Sequence, residues 1–360
     1  MSGSPAARVP APAGAATRDD HAVVTFGLRI PPCRDAREVA DCVERAEEAG
    51  FDIAWLPDSQ FIWRDVWATM AVAATRTSRI RLGTCVTNVE TRHASVTAAA
   101  AATLAELAPG RVILGVGTGD SSIKTLGLRP TRLARMREQL AVLRSLLSGE
   151  AVAFDGRSMR LETVPEEAPP IYLAASAPGA LSLAGELCDG VILVSGTRPE
   201  VLQNALRHVS DGAARASRSL RDVDVCAGAI CHVTEDPGEA AHIVRPYVVA
   251  LAQTGGEKAL EGAGIDVDVP AIVGGVYPDL SHAKDWDAAA EAAAEWVNAE
   301  TALRLADAFC LVGPPDFCRE RLEAMASAGA TSFYIRHVSS YTLPDDVLHA
   351  FGETIISAVR

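Results

Sequence analysis

Val24-Thr25-Phe26-Gly27-Leu28-Arg29-Ile30-Pro31-Pro32 decides how the rest of this 360-residue chain is read. The β-branched and apolar run over 24–30 predicts a strand, which Pro31-Pro32 ends because proline has no N–H for a ladder. Asp35 then opens a helix with Val39, Val43 and Ala46 on one face, closing at Gly50. What does not follow the strand matters as much. A dinucleotide-binding open sheet carries Gly-x-Gly-x-x-Gly at that turn, and this chain has none there.

Outward from this unit the same rhythm repeats. Strands are predicted over 53–56, 80–86, 112–116, 171–174, 191–194, 222–233, 309–312 and 332–337. Helical periodicity runs over 66–75, 95–107, 131–147, 180–187, 237–252, 287–308 and 315–328. Crossovers long enough to hold a helix favour parallel pairing. An open doubly wound sheet fits that rhythm too, and the missing glycine fingerprint selects the alternative: an α/β fold, a (β/α)8 TIM barrel. Two stretches break the pattern. Residues 151–170, around Asp155-Gly156, predict an inserted β-hairpin, and the Gly- and Asp-rich 254–285 predicts an irregular lid. Residues 1–22, rich in Ala, Pro, Gly and Ser, predict a disordered leader before a single domain over 23–360.

Composition narrows the function. A net charge of −13 argues against nucleic acid and against an anionic membrane surface, since both demand clustered cations. No apolar run approaches the roughly 18 residues of a membrane span, and no secretory signal opens the chain. The eight cysteines form no Cys-x-x-Cys pair, so no metal site and no disulfide framework is expected, and a reduced, cytoplasmic protein is. The partner is then a small molecule.

In a barrel the chemistry gathers where strands end. After the second strand comes Asp58-Ser59-Gln60-Phe61-Ile62-Trp63-Arg64-Asp65, with Asp65 suited to capping the next helix and Asp58 free to orient substrate or hold a proton. Gln60 and Trp63 are candidate substrate contacts. After the third strand, Asn88 offers donor and acceptor to a pyrimidine-like ring edge, while His93 reads as the first residue of a helix. After the fourth, Gly115, Gly117 and Gly119 allow close backbone approach to a planar ligand, followed by Asp120-Ser121-Ser122. After the fifth, Ala175-Ser176-Ala177-Pro178-Gly179 feeds a helix N-terminus suited to phosphate, and Ser195-Gly196 stands beside it. His337, at the end of the last strand, is a candidate acid or base. Arg129, Arg132, Arg135 and Arg137 form a basic cluster or a solvated helix face.

Taken together, Val86-Thr87-Asn88, Thr91-Arg92-His93, Ala102-Thr103-Leu104, Gly110-Arg111, Gly117-Thr118-Gly119-Asp120, Ala184-Gly185-Glu186, Asp189-Gly190-Val191 and Val312-Gly313-Pro314-Pro315 resemble the luciferase-like monooxygenase superfamily. Within it the pattern is similar to the methylenetetrahydromethanopterin reductase-like branch, which uses coenzyme F420, an 8-hydroxy-5-deazaflavin. The resemblance implies a flavin- or deazaflavin-dependent oxidoreductase: hydride transfer with F420, or alternatively a two-component monooxygenase using FMN reduced by a separate reductase. A flavin-binding protein without catalysis is the third reading. It also implies a non-prolyl cis peptide near Cys85-Val86 beneath the ring, Asp58 and Asp120 as the acids near it, and phosphate held by the loops at Ala175–Gly179 and Ser195-Gly196. A homodimer is the commonest assembly in such relatives. Two departures stand out: Ser59 replaces the His that sugar-phosphate dehydrogenases carry after this acid, and Ser121-Ser122 replaces the Lys-Ala of the pterin reductase.

Overall fold

The computed structural model describes residues 24–254 and 256–360, so the leader expected over 1–22 lies outside the described residues. Eight parallel strands close on themselves: β1 (Thr25–Arg29), β2 (Ile53–Leu56), β3 (Arg81–Thr84), β4 (Val112–Gly117), β5 (Ile171–Ala174), β6 (Gly190–Leu193), β7 (Asp224–Val233) and β8 (Ser332–His337). Each pairs with the next, and the ring shuts where Thr25 of β1 meets Ser332 of β8. The fold is the TIM barrel that the sequence predicts. The hairpin is present as Val152–Phe154 against Arg157–Met159, turning at Asp155-Gly156, both of positive φ.

Strand periodicity sorts the side chains. Phe26, Leu28 and Ile30 face the helix layer, where they join the main core with Ala54, Leu56 and Ile335. The alternate positions point inward: Ile53, Trp55, Ile113, Tyr172, Ile192, Cys226 and Tyr334 pack together as the barrel's interior. Helices begin where caps are available. Asp35 accepts from Arg37 N, Asp65 from Ala68 N, and His93 from Ser95 N, so His93 is a cap.

Three elements differ from expectation. The segment expected as a strand over 309–312 forms as Cys310–Gly313, but outside the ring, pairing with the far half of β7 from Ile230 onward. The single helix expected over 287–308 is two, Trp286–Ala293 and Ala299–Phe309, because Asn298 caps the second through Thr301 N. A 17-residue helix, Pro199–Arg215, fills the β6–β7 crossover with Leu202, Ala205, Leu206, Val209 and Ala213 buried. It was not predicted. Between 254 and 285 a short helix, Glu257–Gly262, and a 3-10 turn, Leu280–His282, bury Leu260, Ile265, Val273 and Leu280 in a second apolar cluster with the helix Pro237–Gln253. No helix among the described residues is long and apolar enough to cross a membrane.

Candidate active site

The C-terminal ends of the strands surround a cleft lined by residues at the ends of β1, β2, β3, β4 and β8, the face on which barrel enzymes carry their sites. One wall is the end of β3. The Cys85-Val86 peptide is cis, where the resemblance places it, and Thr87-Asn88 then pairs beside Val116-Gly117 of β4. A Cβ on Gly117 would lie 2.6 Å from Val86 Cγ2, so only glycine lets Val86 sit against β4 in this way. Gly119 follows with φ +89° and opens the loop Asp120-Ser121-Ser122, whose residues line the cleft.

Asp58 faces this wall. Thr87 Oγ1 donates to Asp58 Oδ2 at 2.7 Å. Burial pushes the Asp58 carboxyl above the ordinary carboxylate range, and the Thr87 hydrogen bond and nearby Arg92 pull it back only partly. Asp58 is thus a carboxyl that keeps its proton unusually well, at the edge of a cleft. Asp120 is different: it is exposed at the rim and paired with Lys124 at 2.5 Å. Ser59, beside Asp58, is buried and accepts from Ser121 Oγ at 3.1 Å, tying the β2 loop to the β4 loop.

Several other predicted residues act as braces. Gln60 Nε2 donates to Ser122 O at 2.6 Å, which turns its amide to the β4 loop. Asn88 Oδ1 accepts from Glu90 N and Thr91 N while its Nδ2 donates to Ser122 Oγ at 3.1 Å, so its polar atoms are committed to protein. Trp63 lines the cleft and donates through Nε1 to Ser340 O at 2.7 Å. His337 is not in the cleft. It faces the helix layer, with Nδ1 3.0 Å from Asp346 Oδ1 and Nε2 2.9 Å from Thr342 Oγ1.

The predicted phosphate loops end the adjacent strands β5 and β6, beyond the cleft's lining. Ala177 precedes the helix Pro178–Leu187, which has no side-chain cap, so its first N–H groups are uncommitted. Ala175 is buried, and Ser176, Ala177 and Gly179 are exposed. Ser195 Oγ is buried with no hydrogen-bond partner among the described residues, and Gly196 (φ +120°) would crowd Ala308 O at 2.9 Å if it bore a Cβ. An orphaned hydroxyl beside an uncapped helix N-terminus fits a phosphate. Of the basic cluster, Arg135 pairs with Glu90 and Arg137 with Glu186, while Arg129 and Arg132 are exposed without an ion pair among the described residues.

Sequence reasoning missed five cleft residues: Pro57 and, among the polar ones, Arg29 at the end of β1, Tyr334 and Arg336 on β8, and His282 from the 3-10 turn. His282 stacks edge-on against Trp63, with ring centroids 5.9 Å apart, and is paired with Asp279 at 3.0 Å. Burial pushes the Cys85 thiol up to about 12 and raises Tyr334 further, so both stay neutral. Among the described residues no group of His, Cys, Asp and Glu is placed to hold a metal, and all eight cysteines are free.

A closed parallel barrel with an acid, a cis-peptide wall and an anion-ready rim at its C-terminal end defines a barrel enzyme built around a small-molecule cleft. The chain belongs to the luciferase-like monooxygenase family, whose model matches residues 12–332, and is an oxidoreductase of that type. It is 32% identical over 314 residues, 86% of this chain and 92% of the relative, to 5,10-methylenetetrahydromethanopterin reductase of Methanolobus tindarius. It is 38% identical over 234 residues, 59% of this chain and 69% of the relative, to F420-dependent glucose-6-phosphate dehydrogenase of Beutenbergia cavernae. The solved coenzyme F420-dependent tetrahydromethanopterin reductase of Methanopyrus kandleri superposes with a TM-score of 0.74 at 25% identity, covering 94% of this chain and 100% of that one.

Proposed function

We propose that the protein is an F420-dependent oxidoreductase that exchanges a hydride with a small organic substrate held in this cleft. The observation that carries the reading is the match, over 94% of the chain, to a reductase described as dependent on coenzyme F420. The residues fit such a cofactor. The Cys85-Val86 wall and the glycine-cleared β4 loop would flank its ring, and Ser195 Oγ with the N–H groups at the start of Pro178–Leu187 would hold its phosphate. When bound, F420 supplies hydride exchange at the ring carbon that replaces the reactive nitrogen of a flavin.

The chain's part is proton handling, positioning and exclusion of water. Asp58 gives a proton to the substrate atom beside the reduced carbon, or takes one in the reverse direction, and Thr87 orients it through Oδ2. Trp63, fixed by Ser340, offers an apolar face to the substrate. His282, from the 3-10 turn Leu280–His282, adds a wall to the cleft beside Trp63. Ser59 in place of an imidazole leaves Asp58 as the proton carrier on that loop.

Titration of the purified chain with F420 and with FMN tests the reading. F420 should bind in the micromolar range or tighter, and FMN at least tenfold more weakly. Tight FMN binding with none for F420 overturns it, and oxygen uptake with reduced FMN would then establish the monooxygenase alternative.

A further inference from the structure

Two arginines share the cleft, and no described residue gives either a counter-charge. Arg29 and Arg336 lie near the C-terminal ends of β1 and β8, neighbours in the barrel, and both line the cleft. Arg29 is only 2% exposed. Its guanidinium donates to Ser339 O at 3.2 Å and Ser340 Oγ at 3.3 Å, and sits 5.2 Å from the Trp63 ring, contacts that fix it without neutralising it. Arg336 donates through Nη2 to Ser281 O at 3.4 Å, and its Nε is buried with no partner.

The surrounding acids are committed elsewhere. Asp279 holds His282, Asp120 holds Lys124, and Asp58 is bonded to Thr87. The nearby thiol and phenol, Cys85 and Tyr334, remain protonated. No carboxylate pairs with Arg29 or Arg336 among the described residues. Like charges side by side in a partly dry cleft are costly unless an anion joins them, and a guanidinium fork matches the geometry of an oxyanion.

We propose that Arg29 and Arg336 form an oxyanion subsite, so that the substrate of this cleft carries a carboxylate or a phosphate. Arg336, with uncommitted N–H groups, contacts the anion; Arg29 is the fixed charge behind it. The inference rests on the reading that this cleft holds the substrate, and it names the class that substrate belongs to.

Calorimetric titration of the full chain, without cofactor, with benzoate, phenyl phosphate and neutral benzamide tests it. At least one anion should bind ten times more tightly than benzamide, and the tighter of the two identifies the source. Arg336→Gln should erase that preference, and Arg336→Lys should keep part of it. If Arg336→Gln does not fold, protection of Arg336 from phenylglyoxal by the anions, read by mass spectrometry, takes its place. Equal binding of all three probes, no anion binding, an anion preference that survives Arg336→Gln, or no protection overturns the subsite. A wild-type chain that prefers anions but fails to bind F420 refutes the cofactor reading alone.

Discussion

Asp58 titrates in a setting where burial disfavours its anion and a single hydroxyl, Thr87, favours it. The sign of its pH effect follows. A raised pKa means the carboxyl stays protonated to higher pH, so reduction of substrate should fall as pH rises through that value and oxidation should rise. Thr87→Val removes an interaction that lowers the pKa, so both limbs should move to higher pH, and Asp58→Asn should abolish them with a loss of turnover of about 10²-fold or more. Limbs that stay put in Thr87→Val assign the titration to another group. The folded chain also binds this proton more tightly than the unfolded one, so Asp58 lowers stability as pH rises above the ordinary carboxylate range, and Asn at 58 should raise the melting midpoint at neutral pH. Asp58 was legible in the sequence because an acid directly after a barrel strand has no capping duty. Arg29 and Arg336 were legible too, through a signal left unused. Phe26, Leu28 and Ile30 face the helices, so Arg29 must face inward, and on β8 the same parity that buries Tyr334 inside sends Arg336 to the cleft and His337 away from it. Asn88 and Gln60 have the right chemistry for a ligand, but neighbours in the folded loops claim their hydrogen bonds, and no spacing reveals that.

The helices Pro178–Leu187 and Pro199–Arg215 show how an element controls the site from behind. They touch backbone to backbone: a Cβ on Gly212 would lie 1.9 Å from Ser182 O, and one on Gly185 would lie 2.0 Å from Val209 O. Such contacts cannot relax by moving a side chain. Gly212→Ala should therefore cost about 3 kcal/mol, the upper end of the usual range for overpacking. Because Pro178–Leu187 begins at the loop proposed to hold the cofactor phosphate, the same substitution should weaken cofactor binding while leaving the Asp58 pH limb in place. A denaturation midpoint equal to wild type would show that the helices separate freely. The sequence predicted the first helix and missed the second, although Leu202, Ala205, Leu206, Val209 and Ala213 keep helical spacing and Pro199 stands at its first position. Ser195-Gly196 draws the reading towards phosphate chemistry, and the helical spacing that follows it is masked by that loop. The segment over 256–285 is a harder case. Its apolar residues Leu260, Ile265, Val273 and Leu280 are too widely spaced for any local period, and only packing on Pro237–Gln253 brings them together.

At the scale of the whole barrel, ring-bearing side chains on some strands are matched by glycines on their neighbours. Trp55 of β2 lies between Gly27 of β1 and Gly83 of β3, and a Cβ at either glycine would come within 2.3 Å of its indole. Tyr172 of β5 stands over Gly190 of β6, and Tyr334 of β8 over Gly228 of β7, at 2.6 and 2.7 Å by the same measure. The interior is thereby filled below the level of the cleft, and Arg29, paired in register with Trp55, begins the polar layer above it. This arrangement separates what holds the barrel shut from what works at its mouth. Gly83→Ala forces a methyl into the Trp55 ring and should cost about 1–3 kcal/mol, read as a lower urea midpoint. Trp55→Phe should cost stability on its own by leaving a void, yet it removes the atoms that the new methyl strikes. The double variant should therefore lose less than the two single losses combined, by about 1 kcal/mol. Strict additivity, within about 0.5 kcal/mol, would mean that the ring and the methyl never compete, and that the barrel interior closes by some other packing than the one described.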